Sequence, residues 1–229
     1  MVFALIIWHV LIIFLFRLLP GMTDIVIVGS SHALKIGNAL KKISLQDKSL
    51  NIKICARAGA RFRDIPFPDF ESFSQNTVIC ILPFGNDIFQ PNSHKIESTS
   101  KGKIIHLRKN DPTSEETFLN LCKELEKKLS KAVSKIIIIS NFYRHLRCCP
   151  AHTAEYVGIL KHQNSLNQIL HAFFKDKFTV IDHRKIVQPD RNQDGRSATQ
   201  YSLHQVDTVH FTGQKYAQMA QILLDRCRS

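Results

Sequence analysis

The sequence predicts an α/β protein with a parallel sheet that is covered by helices on both faces. Short runs of apolar, largely β-branched residues alternate along the chain with segments of helical periodicity. Strands buried on both faces have this continuous apolar character, whereas half-exposed strands alternate between apolar and polar residues. Five such runs indicate a doubly wound, three-layer sheet with the flavodoxin-like strand order 2-1-3-4-5.

The individual elements follow from these patterns. The predicted strands are residues 25–28, 51–56, 77–82, 135–140 and 178–182. The predicted helices are residues 33–45, 112–133, 153–175 and 211–226. Thr113 and Glu116 match a capping box at the start of the second helix. Residues 90–111 are polar and irregular, with one candidate strand at 103–107, and residues 183–206 form a polar loop without periodicity.

The 229 residues suit one domain at 22–229 preceded by a hydrophobic extension at 1–21. No basic region precedes the extension and no small-x-small motif ends it, so a cleaved signal peptide is not expected. Three interpretations remain open. Residues 2–19 anchor the chain in a membrane, with the basic domain in the cytoplasm, or they form only a hydrophobic extension of a cytoplasmic protein. Alternatively they are not translated, and Met22, directly before the first strand, is the true start.

Composition restricts the partners. The net charge of +12 favours nucleic acid or an anionic membrane surface, although a generally basic exterior has the same composition. The six cysteines do not form the pattern of a disulfide framework, and Cys55 and Cys80 fall in predicted buried strands. This usage is more typical of a reducing compartment.

The stretch Gly29-Ser30-Ser31 ends the first strand and opens the first helix. Such a turn places a hydroxyl at the carboxyl edge of the sheet and at a helix N-terminus, where backbone N–H groups favour negative charge. Taken alone, the serines are either helix caps or one of them is a nucleophile. Ligands of doubly wound sheets bind at this edge, and Gly59 and Asn86 follow the next two strands.

Four short blocks resemble the conserved blocks of the SGNH/GDSL hydrolases in order and in placement at strand ends. They are Gly29-Ser30-Ser31-His32, Gly59, Gly85-Asn86-Asp87 and Asp207-Thr208-Val209-His210. The resemblance covers residues 24 to about 226 and implies the SGNH hydrolase fold.

The resemblance also implies roles for individual residues. Ser31 corresponds to the nucleophile, His210 to the general base and Asp207 to the residue that orients the imidazole. The oxyanion-hole donors correspond to the backbone N–H groups of Ser31 and Gly59 and the side-chain amide of Asn86. Ser30 is left with the role of a helix cap. No metal and no organic cofactor is implied.

The chain departs from the family pattern at Ser30, where an acid is common, and at Phe84, where a glycine is usual. Neither change removes a group that the reaction needs. His32 is a candidate for lining the pocket, or only a residue of the first helical turn. Arg57, Arg61 and Arg63 flank Gly59. They are candidates for binding a carboxylate or phosphate of the substrate, or they are only solvated side chains.

Two metal-like patterns are weak. Residues 190–195 begin like a calcium loop, but Tyr201 stands where the loop needs an acid. The adjacent Cys148 and Cys149 lack the spacing of zinc ligands.

Three functions are therefore predicted. The first is a serine esterase that acts on a small ester through a Ser31 acyl-enzyme. The second is a protein of the same fold with weak or no catalytic activity that binds nucleic acid or a protein partner, because similar esterase-like domains occur in proteins encoded by animal retroelements. The third is a membrane-anchored acyl transferase or lipid esterase, which depends on residues 2–19 acting as an anchor.

Overall fold

The structure is a computed structural model that describes residues 23–88, 94–99, 102–107, 113–143, 154–187 and 210–229. The hydrophobic extension, Asp207 and both metal-like patterns lie outside these ranges. Within them, no helix combines the length and the apolar character needed to cross a membrane.

Seven strands and five α-helices are described. The strands are β1 (Thr23–Gly29), β2 (Leu50–Ala56), β3 (Thr77–Leu82), β4 (His94–Thr99), β5 (Gly102–Leu107), β6 (Lys135–Ile139) and β7 (Thr179–Ile181). The helices are α1 (Ser31–Ser44), α2 (Glu115–Leu129), α3 (Ala154–Phe174), α4 (His183–Val187) and α5 (Gly213–Arg228).

Five of the strands form one sheet in the order β2-β1-β3-β6-β7, and all neighbouring pairs are parallel. Counted among themselves, these strands have the order 2-1-3-4-5, so the predicted fold class and topology are confirmed. Connections between parallel strands must be long; α1, α2 and α3 lie in those from β1 to β2, β3 to β6 and β6 to β7, whereas the one from β2 to β3 contains only two short 3-10 turns.

The continuous apolar runs fill two cores at once because successive side chains of a strand point to opposite faces. Ile25 and Ile27 of β1 lie in one core, with residues of α1 and α5. Val26 and Val28 lie in the other core, with residues of α2 and α3. The isoleucines of β6 divide between the two cores in the same way.

Three predictions about elements were incomplete. The candidate strand at 103–107 is present as β5, but its antiparallel partner β4 was not predicted because only Ile96 is apolar in it. α4 lies in the segment predicted as a loop. α2 is capped by Ser114, whose hydroxyl accepts from Thr117 N–H, so the N-cap is Ser114 and the capping box predicted at Thr113 and Glu116 was wrong.

Buried cysteines contribute to the core as free thiols. Cys80 is fully buried in β3, as predicted, and its sulfur lies 3.6 Å from that of Cys227 in α5. Cys55 is only partly buried. Cys122 of α2 is buried in the core of the domain, and this burial raises the pKa of its thiol to about 12.

Candidate active site

The carboxyl ends of β1, β2 and β3 meet at one edge of the sheet. Gly29, the last residue of β1, is in register with Ala56 of β2 and Leu82 of β3. The N–H of Arg57 then donates to the carbonyl oxygen of Gly29 at 3.2 Å. The residues that follow the three strands therefore share one edge, as the order of the sequence blocks predicts.

Gly29 permits the sharp transition from β1 to α1. Its φ is +150°, in a range that residues with a side chain rarely adopt. A Cβ at this position would lie 2.5 Å from the carbonyl oxygen of Leu82. Glycine is therefore required both by the backbone conformation and by the close approach of β3.

Ser31 and Ser30 have different environments. Ser31 is the first residue of α1 and is partly exposed, whereas only 3% of the Ser30 surface is exposed. A reacting hydroxyl must be reached by substrate, so exposure favours Ser31 over Ser30. The free backbone N–H groups of the first helical turn lie beside it.

The prediction that the side chain of Ser30 caps α1 was wrong. Ser30 occupies the N-cap position, but its hydroxyl makes no capping hydrogen bond. The hydroxyl instead faces Gly85, where an added Cβ would lie 3.4 Å from the Ser30 oxygen. The glycine after Phe84 thus leaves room for Ser30 behind the nucleophile candidate.

Gly59 lies in the exposed turn after β2. Its φ is +73°, and an added Cβ would meet no atom within 4 Å. The backbone conformation therefore favours glycine here, whereas crowding by this chain does not require it. The turn is closed by a hydrogen bond from Ala60 N–H to Arg57 O at 3.2 Å.

Asn86 and Asp87 join the loop after β3 to the turn after β2. The amide of Asn86 donates to Ala60 O at 2.8 Å. The carboxylate of Asp87, which is 7% exposed, accepts from Phe62 N–H at 2.8 Å. These two bonds place Asn86 next to the Gly59 turn, and the oxyanion hole itself stays a prediction.

Phe84, where the family pattern has glycine, is a core residue. It is fully buried, and its ring centroid lies 5.2 Å from that of Phe62 and 5.1 Å from that of Phe118. The departure from the family pattern is therefore accommodated by packing beneath the loop.

His210 approaches the start of α1 through His32. The centroids of the two imidazoles are 5.5 Å apart, with an interplanar angle of 44°. His210 therefore packs against the residue that directly follows the predicted nucleophile in the chain. Asp207, the predicted third member, lies outside the described residues.

His32 itself lies behind the site. Only 5% of its surface is exposed, and its Nδ1 lies 2.8 Å from the hydroxyl of Tyr216 in α5. Little of the ring is thus available for direct contact with substrate. Sequence reasoning missed Tyr216, because its helical pattern carries no sign of a partner 184 residues away.

The arginines predicted at the mouth of the site differ in their surroundings. Arg57 is exposed and Arg61 is partly exposed, one on each side of Gly59. Arg63 is also exposed, but it forms an ion pair with Glu124 of α2 at 3.1 Å. Arg63 is therefore a weaker candidate for binding an anionic group than the exposed Arg57.

A second histidine, His183, is buried at the carboxyl ends of β6 and β7. Its backbone N–H donates to the Ser140 hydroxyl at 2.9 Å, and that hydroxyl lies 2.8 Å from its Nδ1. Nδ1 also lies 3.5 Å from Asp182 Oδ1. Burial lowers the pKa of His183 to about 4, so this serine–histidine pair is suited to a structural role.

Among the residues whose side chains are described, no three histidine, cysteine or acidic side chains cluster as metal ligands would.

The fold is that of the SGNH hydrolases, to judge from solved structures. A GDSL-like lipase from Bacteroides thetaiotaomicron has 14% identity and a TM-score of 0.55, with 90% of this chain and 88% of that chain covered. A lipase/acylhydrolase from Enterococcus faecalis has 13% identity and a TM-score of 0.55, with 90% and 95% covered. An acetyl xylan esterase has 15% identity and a TM-score of 0.55, with 89% and 98% covered.

No protein-family model and no curated protein matches the chain. The similar structures named above are all described as enzymes that cleave esters or transfer acyl groups to water. At 13–15% identity they establish the fold, and the activity has to be argued from the residues at the sheet edge.

Proposed function

We propose that the protein is a serine esterase that hydrolyses a small ester through an acyl-enzyme on Ser31. The observation that carries the proposal is the 5.5 Å distance between the rings of His32 and His210. His210 is the histidine of the last sequence block, and His32 directly follows Ser31. The proposed base therefore lies close to the residue next to the proposed nucleophile, although the two are far apart in the chain.

In the first step the Ser31 oxygen attacks the ester carbonyl carbon, and His210 takes the hydroxyl proton. The tetrahedral intermediate collapses, and the alcohol leaves with the proton from His210. In the second step water attacks the acyl-enzyme, again with His210 as base, and the acid and free Ser31 are released. Asp207 would orient His210 and stabilise its charged form.

The negative charge of each tetrahedral intermediate needs hydrogen-bond donors. The backbone N–H groups of Ser31 and Gly59 and the amide of Asn86 are the proposed donors. Support comes from the sheet register and from the 2.8 Å bond between Asn86 and Ala60, which holds the amide beside the Gly59 turn. One such donor typically contributes about 2.7–4 kcal/mol to transition-state stabilisation.

The direct test is hydrolysis of short p-nitrophenyl esters, combined with labelling by a fluorophosphonate probe. We expect the wild-type protein to hydrolyse the ester and to carry the label on Ser31, identified by mass. Ser31→Ala should lose both activities. Ser30→Ala is the matched control and should keep both, because Ser30 is buried. Equal rates for wild type and Ser31→Ala would contradict the proposal.

Arg57 and Arg61 favour an ester with an anionic acyl or alcohol part, because they flank the turn of a proposed oxyanion donor. We expect kcat/KM for an anionic ester to exceed that for a neutral ester of the same size. The preference should decrease in Arg57→Ala and should stay in Arg63→Ala, since Arg63 is paired with Glu124. An equal preference in both variants would remove this assignment.

The net charge of +12 supports a second candidate function, the binding of nucleic acid. Lys35, Lys41 and Lys42 are exposed along α1, which gives one face of the domain a positive charge. We expect affinity for RNA or DNA to fall steeply with salt if this charge carries the binding. Affinity that is independent of salt would contradict the electrostatic interpretation.

A further inference from the structure

The hydroxyl of Tyr216 and the imidazole of His32 form a buried pair next to the proposed site. The Tyr216 oxygen lies 2.8 Å from His32 Nδ1. Tyr216 is 4% exposed and His32 is 5% exposed. Tyr216 belongs to the first turn of α5 and His32 to the first turn of α1, so this bond connects those two helices.

The Tyr216 oxygen is held from two sides. The backbone N–H of Phe211 donates to it at 3.4 Å, and His32 Nδ1 lies 2.8 Å from it. A phenolic hydroxyl can both donate and accept, so this bond forms with either tautomer of His32.

The His32 ring packs between the segments that carry the proposed reacting groups. Its centroid lies 4.6 Å from that of Phe142, 5.5 Å from that of His210 and 5.7 Å from that of Phe211. Ser31 precedes His32 in the chain, and Phe211 follows His210. The ring therefore acts as a spacer between the start of α1 and the segment that carries His210.

We propose that His32 and Tyr216 are positioning residues that fix the distance between Ser31 and His210 through the bond from the Tyr216 hydroxyl to His32. This inference rests on the proposed esterase function. Neither residue touches the substrate in this scheme. Their effect is on kcat, because small displacements of a base from its nucleophile slow the reaction strongly.

The first test is Tyr216→Phe, which removes the hydroxyl and keeps the ring. We expect kcat for the p-nitrophenyl ester to fall about tenfold or more, with KM within about twofold of the wild-type value. The rate of fluorophosphonate labelling at Ser31 should fall by a similar factor. A purely structural role would lower only the melting temperature and leave both rates unchanged, which would overturn the proposal.

Tyr143→Phe is the matched control. Its hydroxyl also forms a hydrogen bond with a side chain, that of Asn164. Its ring also contacts a histidine, His183, in an edge-to-face arrangement. We expect kcat and the labelling rate to stay at wild-type values in this variant. A loss as large as that of Tyr216→Phe would show a general effect of removing a buried hydroxyl and would contradict the assignment.

The His32 side of the pair is tested by two substitutions. His32→Asn keeps an acceptor oxygen near the position of Nδ1, so it should retain more of kcat than His32→Phe, which keeps a ring without an acceptor. The double variant His32→Phe/Tyr216→Phe should be no slower than the slower single variant, because both changes remove the same bond. Additive losses would overturn the pairing.

The hydrogen bond is measured independently of activity. In the long-range ¹H–¹⁵N spectrum, the Nδ1 signal of His32 should shift in Tyr216→Phe and should stay at its wild-type position in Tyr143→Phe. An unchanged Nδ1 signal in Tyr216→Phe would overturn the pairing. Absence of any Ser31 label in the wild type would refute the proposed function, whereas a normal label with an unaffected Tyr216→Phe variant would refute only the positioning role.

Discussion

The side-chain amide of Asn86 donates a hydrogen bond of 2.8 Å to the carbonyl oxygen of Ala60. The two residues follow different strands of the sheet, and the bond fixes the orientation of the amide beside the Gly59 turn. This geometry is what a preorganised oxyanion hole requires, because its donors must be held in place before charge develops. The proposed function depends on this arrangement.

Removal of the Asn86 amide should therefore slow catalysis. In Asn86→Ala we expect kcat to fall about 10²–10³-fold, as for the loss of one oxyanion donor, with KM little changed. Steady-state hydrolysis of a p-nitrophenyl ester gives both constants. Asn51→Ala is the matched control, since that amide makes a 2.8 Å bond to Asp24 at the start of β2. An unaffected kcat in Asn86→Ala would exclude it as a donor.

Asp87 should contribute to stability through the N–H group of Phe62. In Asp87→Ala this buried N–H loses its acceptor at 2.8 Å, which costs about 1–3 kcal/mol. Asp87→Asn keeps an acceptor oxygen and should lose less. Urea denaturation measures the free energy of unfolding of each variant. The exposed Asp69, which accepts from Glu71 N–H at 3.1 Å, is the control, and an equal loss in Asp69→Ala would contradict the role of burial.

Gly29→Ala should destabilise the fold strongly. The new Cβ would lie 2.5 Å from Leu82 O at a φ of +150°, so β1 and β3 must separate or the backbone must change. We expect a loss of at least about 2 kcal/mol in the free energy of unfolding. Gly158→Ala in α3 is the control, because a Cβ there meets no atom within 4 Å.

The control substitution Gly158→Ala should have the opposite effect on stability. Alanine is favoured over glycine in a helix by about 0.5–1 kcal/mol, so Gly158→Ala should raise the melting temperature while Gly29→Ala lowers it. Thermal unfolding followed by circular dichroism distinguishes the two. A tolerated Gly29→Ala would show that the strand end adjusts without strain.

His183 should make stability depend on pH in the acid range. Burial lowers the pKa of His183 from 6.5 in the unfolded chain to about 4 in the folded protein. Between these values only the unfolded state binds the proton, so stability is complete above about pH 6.5 and is lost as the pH falls towards 4. The whole loss amounts to about 3 kcal/mol.

The comparison with His183→Asn isolates this contribution. Asparagine keeps an acceptor for the Ser140 hydroxyl and does not titrate, so the free energy of unfolding of the variant should depend less on pH between about 6.5 and 4. Urea denaturation at several pH values gives both curves. Parallel curves would show that the folded protein does not hold His183 neutral.

Much of the architecture could be predicted because the strands of a parallel sheet are buried on both faces. The four isoleucines of residues 136–139 can occupy few other environments, and the sheet strands were found close to their predicted positions. β4 was missed because a hairpin outside the main sheet needs no apolar run. α4 was missed because a single short turn of helix leaves no periodic pattern.

The sequence by itself determined the sheet edge at which chemistry is expected, because local patterns of strand, glycine and helix start do not depend on distant residues. It indicated Ser31, Gly59, Asn86 and His210 through their placement after strands and before the last helix. Only the tertiary structure decided what surrounds them. The bond between Tyr216 and His32 joins residues 184 positions apart, and no local pattern records a contact that packing alone creates.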